Sequence, residues 1–387
     1  MFLNSPRRKL FLYGTPASGK TTLLEFLYLY LKGLPYSYRY LGFLTKEVRV
    51  EGKRVGFELC LLNESNLKIP LAAKKNKIEK KQKLPTVGSY VVWTENLSQV
   101  VSLLEKELEN ISKNHQIPFL LIDEIGKMEI LCKTFVDFIK KILEAPIWLA
   151  STLGYGESSF LKSLHQFPQA LFCKVTPENR DFLKERLKVE FERKGKLIVI
   201  EGIDGAGKTT LAKALYSSLK KRAIPCLLSF EPTYGPLGKK IRPLLENKKA
   251  SEKELLALFL EDRIWHVKEV ILPALNQGKW IILDRYYLST VAYQGAQGLK
   301  VEEILKENET IAPLPDLVIF LKISPEKAIS RIKDRKNLIF FENSLFLERV
   351  SQIYQAILSY FNFLELEATL SLETLLKITL NFLDKDL

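Results

Sequence analysis

Short apolar runs alternate with amphipathic stretches along the chain, and the same opening occurs twice. Lys9-Leu10-Phe11-Leu12-Tyr13 and Leu197-Ile198-Val199-Ile200-Glu201 are both strand-length apolar runs. Each is followed by a glycine-rich turn and then by an apolar pattern of helical period, at residues 22–31 and 210–220. Further strand-length runs fall at 118–123, 147–152 and 171–175, and then at 226–230, 280–284 and 317–323. Strand–helix alternation of this kind predicts open sheets covered by helices on both faces. Residues 42–62 break the pattern, because β-rich runs on either side of Glu51-Gly52 predict an antiparallel hairpin. Residues 180–193 are charged and helical in pattern until Lys194-Gly195-Lys196 interrupts them, so two domains are expected, 1–193 and 194–387. No apolar run reaches the ~18 residues of a membrane-spanning helix. The N-terminal segment carries its charges after its apolar residues, unlike a signal peptide. A soluble, cytoplasmic protein with no membrane partner is expected.

The two glycine-rich turns share one motif, G-x-x-x-x-G-K-[ST]. It reads Gly14-Thr15-Pro16-Ala17-Ser18-Gly19-Lys20-Thr21, then Thr22, and Gly202-Ile203-Asp204-Gly205-Ala206-Gly207-Lys208-Thr209, then Thr210. A strand before and a helix after is the context that a phosphate-binding loop requires. The glycines let backbone N–H groups close around phosphate oxygens at a helix N-terminus. Lys20 and Lys208 reach the β and γ oxygens, and Thr21 and Thr209 offer hydroxyls to Mg²⁺. The predicted fold is therefore α/β, two tandem P-loop NTPase domains, each a mainly parallel sheet flanked by helices.

In the first half, Phe119-Leu120-Leu121-Ile122-Asp123-Glu124 is an apolar strand ending in two carboxylates. Asp123 suits the hydration shell of Mg²⁺, and Glu124 is placed to orient or deprotonate an attacking water. A helix cap or surface charge is the plainer role for Glu124. The run Asp123-Glu124-Ile125-Gly126-Lys127-Met128-Glu129 resembles the signature of the thermophile nucleoside-triphosphatase (THEP) family. Segments 42–49, 87–92 and Thr176-Pro177-Glu178-Asn179-Arg180 agree in order, so the resemblance covers roughly residues 8 to 190. It implies Mg²⁺-dependent hydrolysis of nucleoside triphosphates to diphosphates with loose base preference. Lys127 either stabilises γ-phosphate charge or pairs with Glu129 or Glu124.

In the second half, Asp204 lies inside the phosphate cradle, where a carboxylate opposes ATP and needs another purpose. Stabilising the turn before Gly205 is the plainer one. Asp284-Arg285-Tyr286 ends a buried strand, with Asp284 suited to organise Mg²⁺ and Arg285 to bridge donor and acceptor phosphates. Phe259 and Arg263 share a helix face and could stack and hydrogen-bond a base. Alternatively, Phe259 is core and Arg263 pairs with Glu261 or Asp262. The order Phe-x-x-Asp-Arg, Asp-Arg-Tyr, then Ser289-Thr290-Val291-Ala292-Tyr293-Gln294-Gly295 resembles thymidylate kinase across roughly residues 196 to 387. The resemblance implies phosphorylation of dTMP by ATP. It places Asp204 on the sugar hydroxyl, Thr290 and Gln294 in the base pocket, and Tyr293 against the 2′ position. It also implies a homodimer.

Two departures qualify it. Phe230 and Thr233 flank Glu231-Pro232 where the family carries an arginine, leaving Lys239, Lys240 or Arg242 as substitutes. The lid is thin, with Arg331 and Arg335 ahead of a short apolar stretch. These departures leave two alternatives, a different monophosphate acceptor or one half acting as a nucleotide sensor that regulates the other. The formal charge of +13 admits a nucleic-acid-stimulated NTPase, but the lysine-rich stretch 74–83 has no interleaved aromatics, so no nucleic-acid partner is expected. Four widely spaced cysteines and three histidines give no zinc pattern.

Overall fold

The computed structural model describes residues 8–35, 38–62, 67–77, 84–167, 170–247, 250–332 and 344–386. The chain divides into two compact units between Lys184 and Glu185. Among the described residues, no helix is long and apolar enough to cross a membrane.

The first unit, Arg8–Lys184, runs β1 (Lys9–Tyr13), α1 (Lys20–Lys32), β2 (Tyr38–Val50), β3 (Lys53–Leu61), β4 (Lys68–Lys74), β5 (Thr86–Val87), β6 (Tyr90–Val92) and α2 (Thr94–Lys113). It continues with β7 (Ile117–Ile125), α3 (Lys133–Glu144), β8 (Trp148–Leu153), α4 (Ser159–His165), β9 (Ala170–Lys174) and the start of α5 (Arg180–Glu192). Its sheet has the order β5-β6-β4-β3-β2-β7-β8-β1-β9. It is mixed, and β2 is the hinge between its two halves. The first part of β2, Tyr38 to Phe43, pairs in parallel with β7, while Phe43 to Val50 pairs antiparallel with β3. Glu51 and Gly52 make the hairpin turn at φ 49° and 75°, and two positive φ values match the right-handed twist of the strands. The parallel part, β2-β7-β8-β1-β9, carries the phosphate loop at the end of its second-last strand. Leu10, Phe11 and Leu12 of β1 are fully buried, as expected for a strand covered on both faces.

The second unit, Glu185–Leu387, takes in the end of α5 and then β10 (Leu197–Glu201), α6 (Lys208–Lys221), β11 (Cys226–Phe230), α7 (Gly238–Asn247), α8 (Glu252–His266), α9 (Leu272–Asn276), β12 (Trp280–Asp284) and α10 (Tyr287–Ala296). It closes with α11 (Val301–Ile311), β13 (Leu317–Lys322), α12 (Pro325–Ile332), α13 (Ser344–Leu358), β14 (Phe363–Glu367) and α14 (Leu372–Asp386). All four strand pairings are parallel, in the order β11-β12-β10-β13-β14. The division inside α5 has a physical cause. Within this unit, the buried Arg186 donates to the Ala312 carbonyl at 2.9 Å, Glu190 accepts from Leu314 N–H at 3.2 Å, and Arg193 pairs with Asp316 at 2.9 Å. In both units the phosphate loop leaves the carboxyl end of a strand flanked on both sides, where parallel sheets bind ligands.

Candidate active sites

In the first unit, Gly14 has φ 157° and Gly19, at the N-cap of α1, has φ 95°. A Cβ on Gly14 would lie 2.3 Å from the Val175 carbonyl oxygen, and one on Gly19 would lie 2.8 Å from Arg180 Cδ. Glycine is thus required at Gly14 by close approach to backbone and at Gly19 by its left-handed φ. Lys20 Nζ turns back on the loop and donates to the Gly14 and Thr15 carbonyls, each at 3.0 Å. Burial lowers its pKa, against the opposing pull of Glu124 and Asp123.

Asp123 is fully buried at the end of β7. It accepts from Thr21 Oγ1 and Thr152 Oγ1, both at 3.0 Å, and from Thr45 N–H at 3.2 Å. Burial pushes its pKa up to about 6. The Thr21 hydroxyl and the Asp123 carboxylate form an oxygen-only donor pair, which fits Mg²⁺. Glu124 is exposed and has a left-handed backbone, φ 69°. Lys127 is also exposed. Glu129 is buried and accepts from Gly126 N–H at 3.0 Å. Burial, aided by the charge of Glu124, raises its pKa to about 8.

Sequence reasoning assigned no role to Arg180. Its guanidinium lies against Gly19, and its Nε is buried without a hydrogen-bond partner. A reciprocal pair of bonds, Thr176 N–H to Asn179 Oδ1 at 2.9 Å and Asn179 N–H to Thr176 Oγ1 at 3.3 Å, sets the turn that presents it.

In the second unit, Gly202, Gly205 and Gly207 have φ 143°, 84° and 95°. Lys208 is buried and donates to the Ile203 carbonyl at 2.7 Å, and burial together with the charge of Arg285 lowers its pKa to about 8. Thr209 Oγ1 donates to Asp284, repeating the oxygen-only pair of the first unit and the same fit to Mg²⁺. Asp204 is held from two sides. Arg285 pairs with one of its oxygens, and Tyr293 Oη donates to the other at 2.9 Å.

A cavity of about 260 Å³ opens beside this loop. Asp204, Phe259, Arg263, Arg285, Thr290, Tyr293 and Gln294 all line it, together with Glu231, Pro232, Arg242 and Ser289. Seven residues singled out in the sequence thus meet in one place. Arg242 lines the cavity, donates to the Pro232 and Thr233 carbonyls, and lies 4.6 Å from the Tyr234 ring centroid, while Lys239 and Lys240 are exposed and do not line it. Arg331 donates weakly to the Gly205 carbonyl at 3.5 Å and to the Ala368 carbonyl at 3.0 Å. Arg335 lies outside the described residues, as do residues 78–83 of the lysine-rich stretch.

Residues 9–188 match the family model described as NTPase, and residues 200–377 match the one described as thymidylate kinase. The thymidylate kinase of Desulfotalea psychrophila is 47% identical over 166 residues, which is 42% of this chain and 82% of that protein. The thymidylate kinase of Akkermansia muciniphila is 44% identical over 166 residues, 43% of this chain and 81% of that protein. The chain belongs to the thymidylate kinase family. The likeness lies in its C-terminal half.

Within that thymidylate kinase half, the Arg263 side chain is buried and its hydrogen bonds are satisfied from across the fold. It pairs with neither Glu261 nor Asp262. Its Nε and Nη2 donate to Glu231 Oε2 at 2.9 and 2.5 Å, Nη2 reaches Thr290 Oγ1 at 3.0 Å, and Nη1 reaches Asn308. His266 Nδ1 meets the other Glu231 oxygen at 2.9 Å, and its Nε2 meets Ser229 Oγ at 2.8 Å. Burial alone would raise the Glu231 pKa, but Arg263 and His266 outweigh it and hold the carboxyl low. Asp262 instead accepts from Thr233 N–H and Oγ1 at 2.8 and 2.6 Å. Glu201 is the other group that sequence reasoning missed. Fully buried, it accepts from Tyr286 N–H at 2.8 Å, Ser289 Oγ at 2.6 Å and Tyr354 Oη at 2.8 Å, and so anchors the start of α10 beside Arg285. Burial raises its pKa.

Proposed function

We propose that the C-terminal unit transfers the γ-phosphoryl group of ATP to dTMP, giving dTDP and ADP. The N-terminal unit hydrolyses nucleoside triphosphates to diphosphates and phosphate. The observation that carries the kinase reading is the cavity beside the second phosphate loop, lined by an aromatic ring, a wrapped arginine and a carboxylate–tyrosine pair. Phe259 offers a face for the base, and Arg263, Thr290 and Gln294 offer polar groups to its edge. Asp204, fixed by Tyr293 and Arg285, accepts from the sugar hydroxyl. Tyr293 fills the space where a 2′-hydroxyl would sit.

Arg285 faces the anionic oxygens of donor and acceptor, and Lys208 the β and γ oxygens of ATP. A dTMP oxygen attacks the γ phosphorus while the β–γ bridging bond breaks and ADP leaves. Mg²⁺, when bound, neutralises charge on the β and γ oxygens. Thr209 and Asp284 would hold it in this unit, and Thr21 and Asp123 in the first. In the N-terminal unit Glu124 takes a proton from the attacking water as the oxygen–phosphorus bond forms and the diphosphate leaves.

Arg242, standing in the cavity near the Glu231-Pro232 step, supplies the cation that the flanking Phe230 and Thr233 do not. Because its position departs from the family pattern, other monophosphates belong in the test. Wild type, Lys20→Ala and Lys208→Ala are assayed with ATP and Mg²⁺. Phosphate release is measured alone, and then formation of ADP and of the acceptor's diphosphate with dTMP, dUMP, CMP, AMP and GMP. Each alanine should remove roughly 10²-fold or more of one activity and spare the other. Wild-type protein that phosphorylates none of the acceptors sinks the kinase reading and turns that unit into a candidate sensor.

A further inference from the structure

We propose that Gly126, Gly154 and Thr152 form a slot that holds the Glu124 carboxylate at the mouth of the first phosphate loop, which makes them positioning residues for hydrolysis. The inference rests on the hydrolase reading of the N-terminal unit. The slot begins with a break in the sheet. β7 pairs with β8 in even register from Phe119 to Ile122, and the register then shifts before Ile125 meets Leu153. Asp123 and Glu124 sit in this bulge, the kind of irregularity that re-aims a side chain at the edge of a site. Glu124 leaves it with φ 69°, a conformation that costs a glutamate free energy and persists only where its surroundings impose it.

One hydrogen bond fixes it, and two glycines make space for the side chain. The Glu124 N–H donates to Thr152 Oγ1 at 2.8 Å, and that buried hydroxyl donates onward to Asp123 Oδ1 at 3.0 Å. One threonine thus ties the backbone of Glu124 to the side chain of Asp123. The glycines leave the space that the carboxylate occupies. A Cβ on Gly126 would lie 2.7 Å from Glu124 Oε1, 2.9 Å from its Cγ and 3.1 Å from its Cδ. A Cβ on Gly154 would lie 2.9 Å from Gly126 Cα and 3.2 Å from Glu124 Oε1. Neither glycine has a left-handed backbone, so what each supplies is room. A methyl group at 126 must push the carboxylate aside, since all three of its nearest neighbours belong to Glu124.

The test uses the full chain carrying Lys208→Ala, so that phosphate release from ATP reads the first unit. Gly126→Ala, Glu124→Gln and the double variant are compared. Gly126→Ala should lower kcat roughly tenfold to a hundredfold, the cost of misplacing a reacting group by about 1 Å, with KM changed less than about threefold. On top of Glu124→Gln, the same alanine should lower kcat no further. Thr152→Ser should keep most of the activity and Thr152→Val should lose it. An ATP-dependent rise in melting temperature shows that each variant folds and binds, and Gly154→Ala replaces any that does not. An equal kcat loss from Gly126→Ala with and without the Glu124 carboxylate overturns the slot, as does a change confined to KM. If Glu124→Gln itself leaves kcat unchanged, the hydrolase reading has lost its base, and the slot falls with it.

Discussion

Removing the Glu231 carboxylate tests whether the second unit relies on a buried ion pair to aim Arg263. The side chains of Arg263 and Glu231 are 1% and 4% exposed. Glu231→Ala leaves a guanidinium in the interior with its Nε and Nη2 donors stripped of their carboxylate, and leaves His266 without its acceptor. Breaking a buried pair from one side costs about 3–5 kcal/mol. That is about a fifth or more of the ~5–15 kcal/mol by which a typical domain is stable. Glu231→Gln separates charge from hydrogen bonding. Its carbonyl oxygen can still accept from Arg263 and its amide can donate to a neutral His266, so a loss of about 1.5–3 kcal/mol is expected. Urea unfolding gives the total, and hydrogen exchange over Glu252–His266 reads this unit alone. The sign with pH follows from the depressed pKa of Glu231. Its stabilisation is complete above the unfolded glutamate value of about 4.3 and is lost as pH falls through the lower folded value. The difference between wild type and Glu231→Gln should therefore be full at neutral pH and close in acid. With Arg263 no longer held, the dTMP KM should rise about tenfold or more. A Glu231→Ala variant less stable by under about 1 kcal/mol, or a pH gap that widens in acid, refutes the reasoning.

Three further outcomes are expected. Tyr293→Phe removes the hydroxyl that accepts from Asp204 N–H at 3.1 Å and donates to Asp204 Oδ2 at 2.9 Å, so the dTMP KM should rise about threefold to tenfold with the ATP KM unchanged. Ser251→Ala breaks the reciprocal cap of α8, in which Glu254 N–H meets Ser251 Oγ at 3.3 Å and Ser251 N–H meets Glu254 Oε2 at 2.8 Å, and should cost about 1 kcal/mol in a urea melt. Glu124→Gly should abolish acceptor-free hydrolysis yet leave stability unchanged or raised by up to about 1 kcal/mol, because glycine takes φ 69° without strain; a clear loss of stability argues against strain there.

Local features were legible because local physics writes them. Glycine spacing, a strand before and a helix after place both phosphate loops, and the structure sets α1 and α6 directly behind them. A strand inside the sheet reads as an apolar run, and Trp280–Asp284 coincides with its expected bounds, as does the edge strand Cys226–Phe230, none of whose residues is fully exposed. β14 was invisible because it is an edge strand whose five residues include three exposed ones, so no apolar run marks it. Partners across the chain were equally hidden. For Arg263 the sequence offers its neighbours Glu261 and Asp262, yet residues one or two apart on a helix do not face each other. The true partner, Glu231, comes from the loop after β11. The same holds for Glu201, whose donors stand on α10 and α13. The division inside α5 depends on contacts with residues 312–316, which no reading of α5 alone supplies.

The two units solve one problem with opposite charges. Each has an aspartate at or near the end of an apolar strand, Asp123 or Asp284, that accepts from the threonine of its own phosphate loop. The next residue, Glu124 or Arg285, has φ 69° in both. A left-handed residue costs about 1–2 kcal/mol, so its presence twice at the same place needs a compensating bond. Each has one: Glu124 N–H donates to Thr152 Oγ1 at 2.8 Å, and Arg285 N–H donates to the Ile200 carbonyl at 3.1 Å. Arg285 reaches Asp204 of its phosphate loop, and the charge of Glu124 acts on Lys20 of the other, and there the units part. Water must give up a proton to attack phosphorus, which a carboxylate can accept. A nucleoside monophosphate brings anionic oxygens to an anionic donor, and that approach needs a guanidinium between them. On the proposed chemistry, the backbone device is common to both units, and the charge of the single side chain it presents separates hydrolysis from transfer.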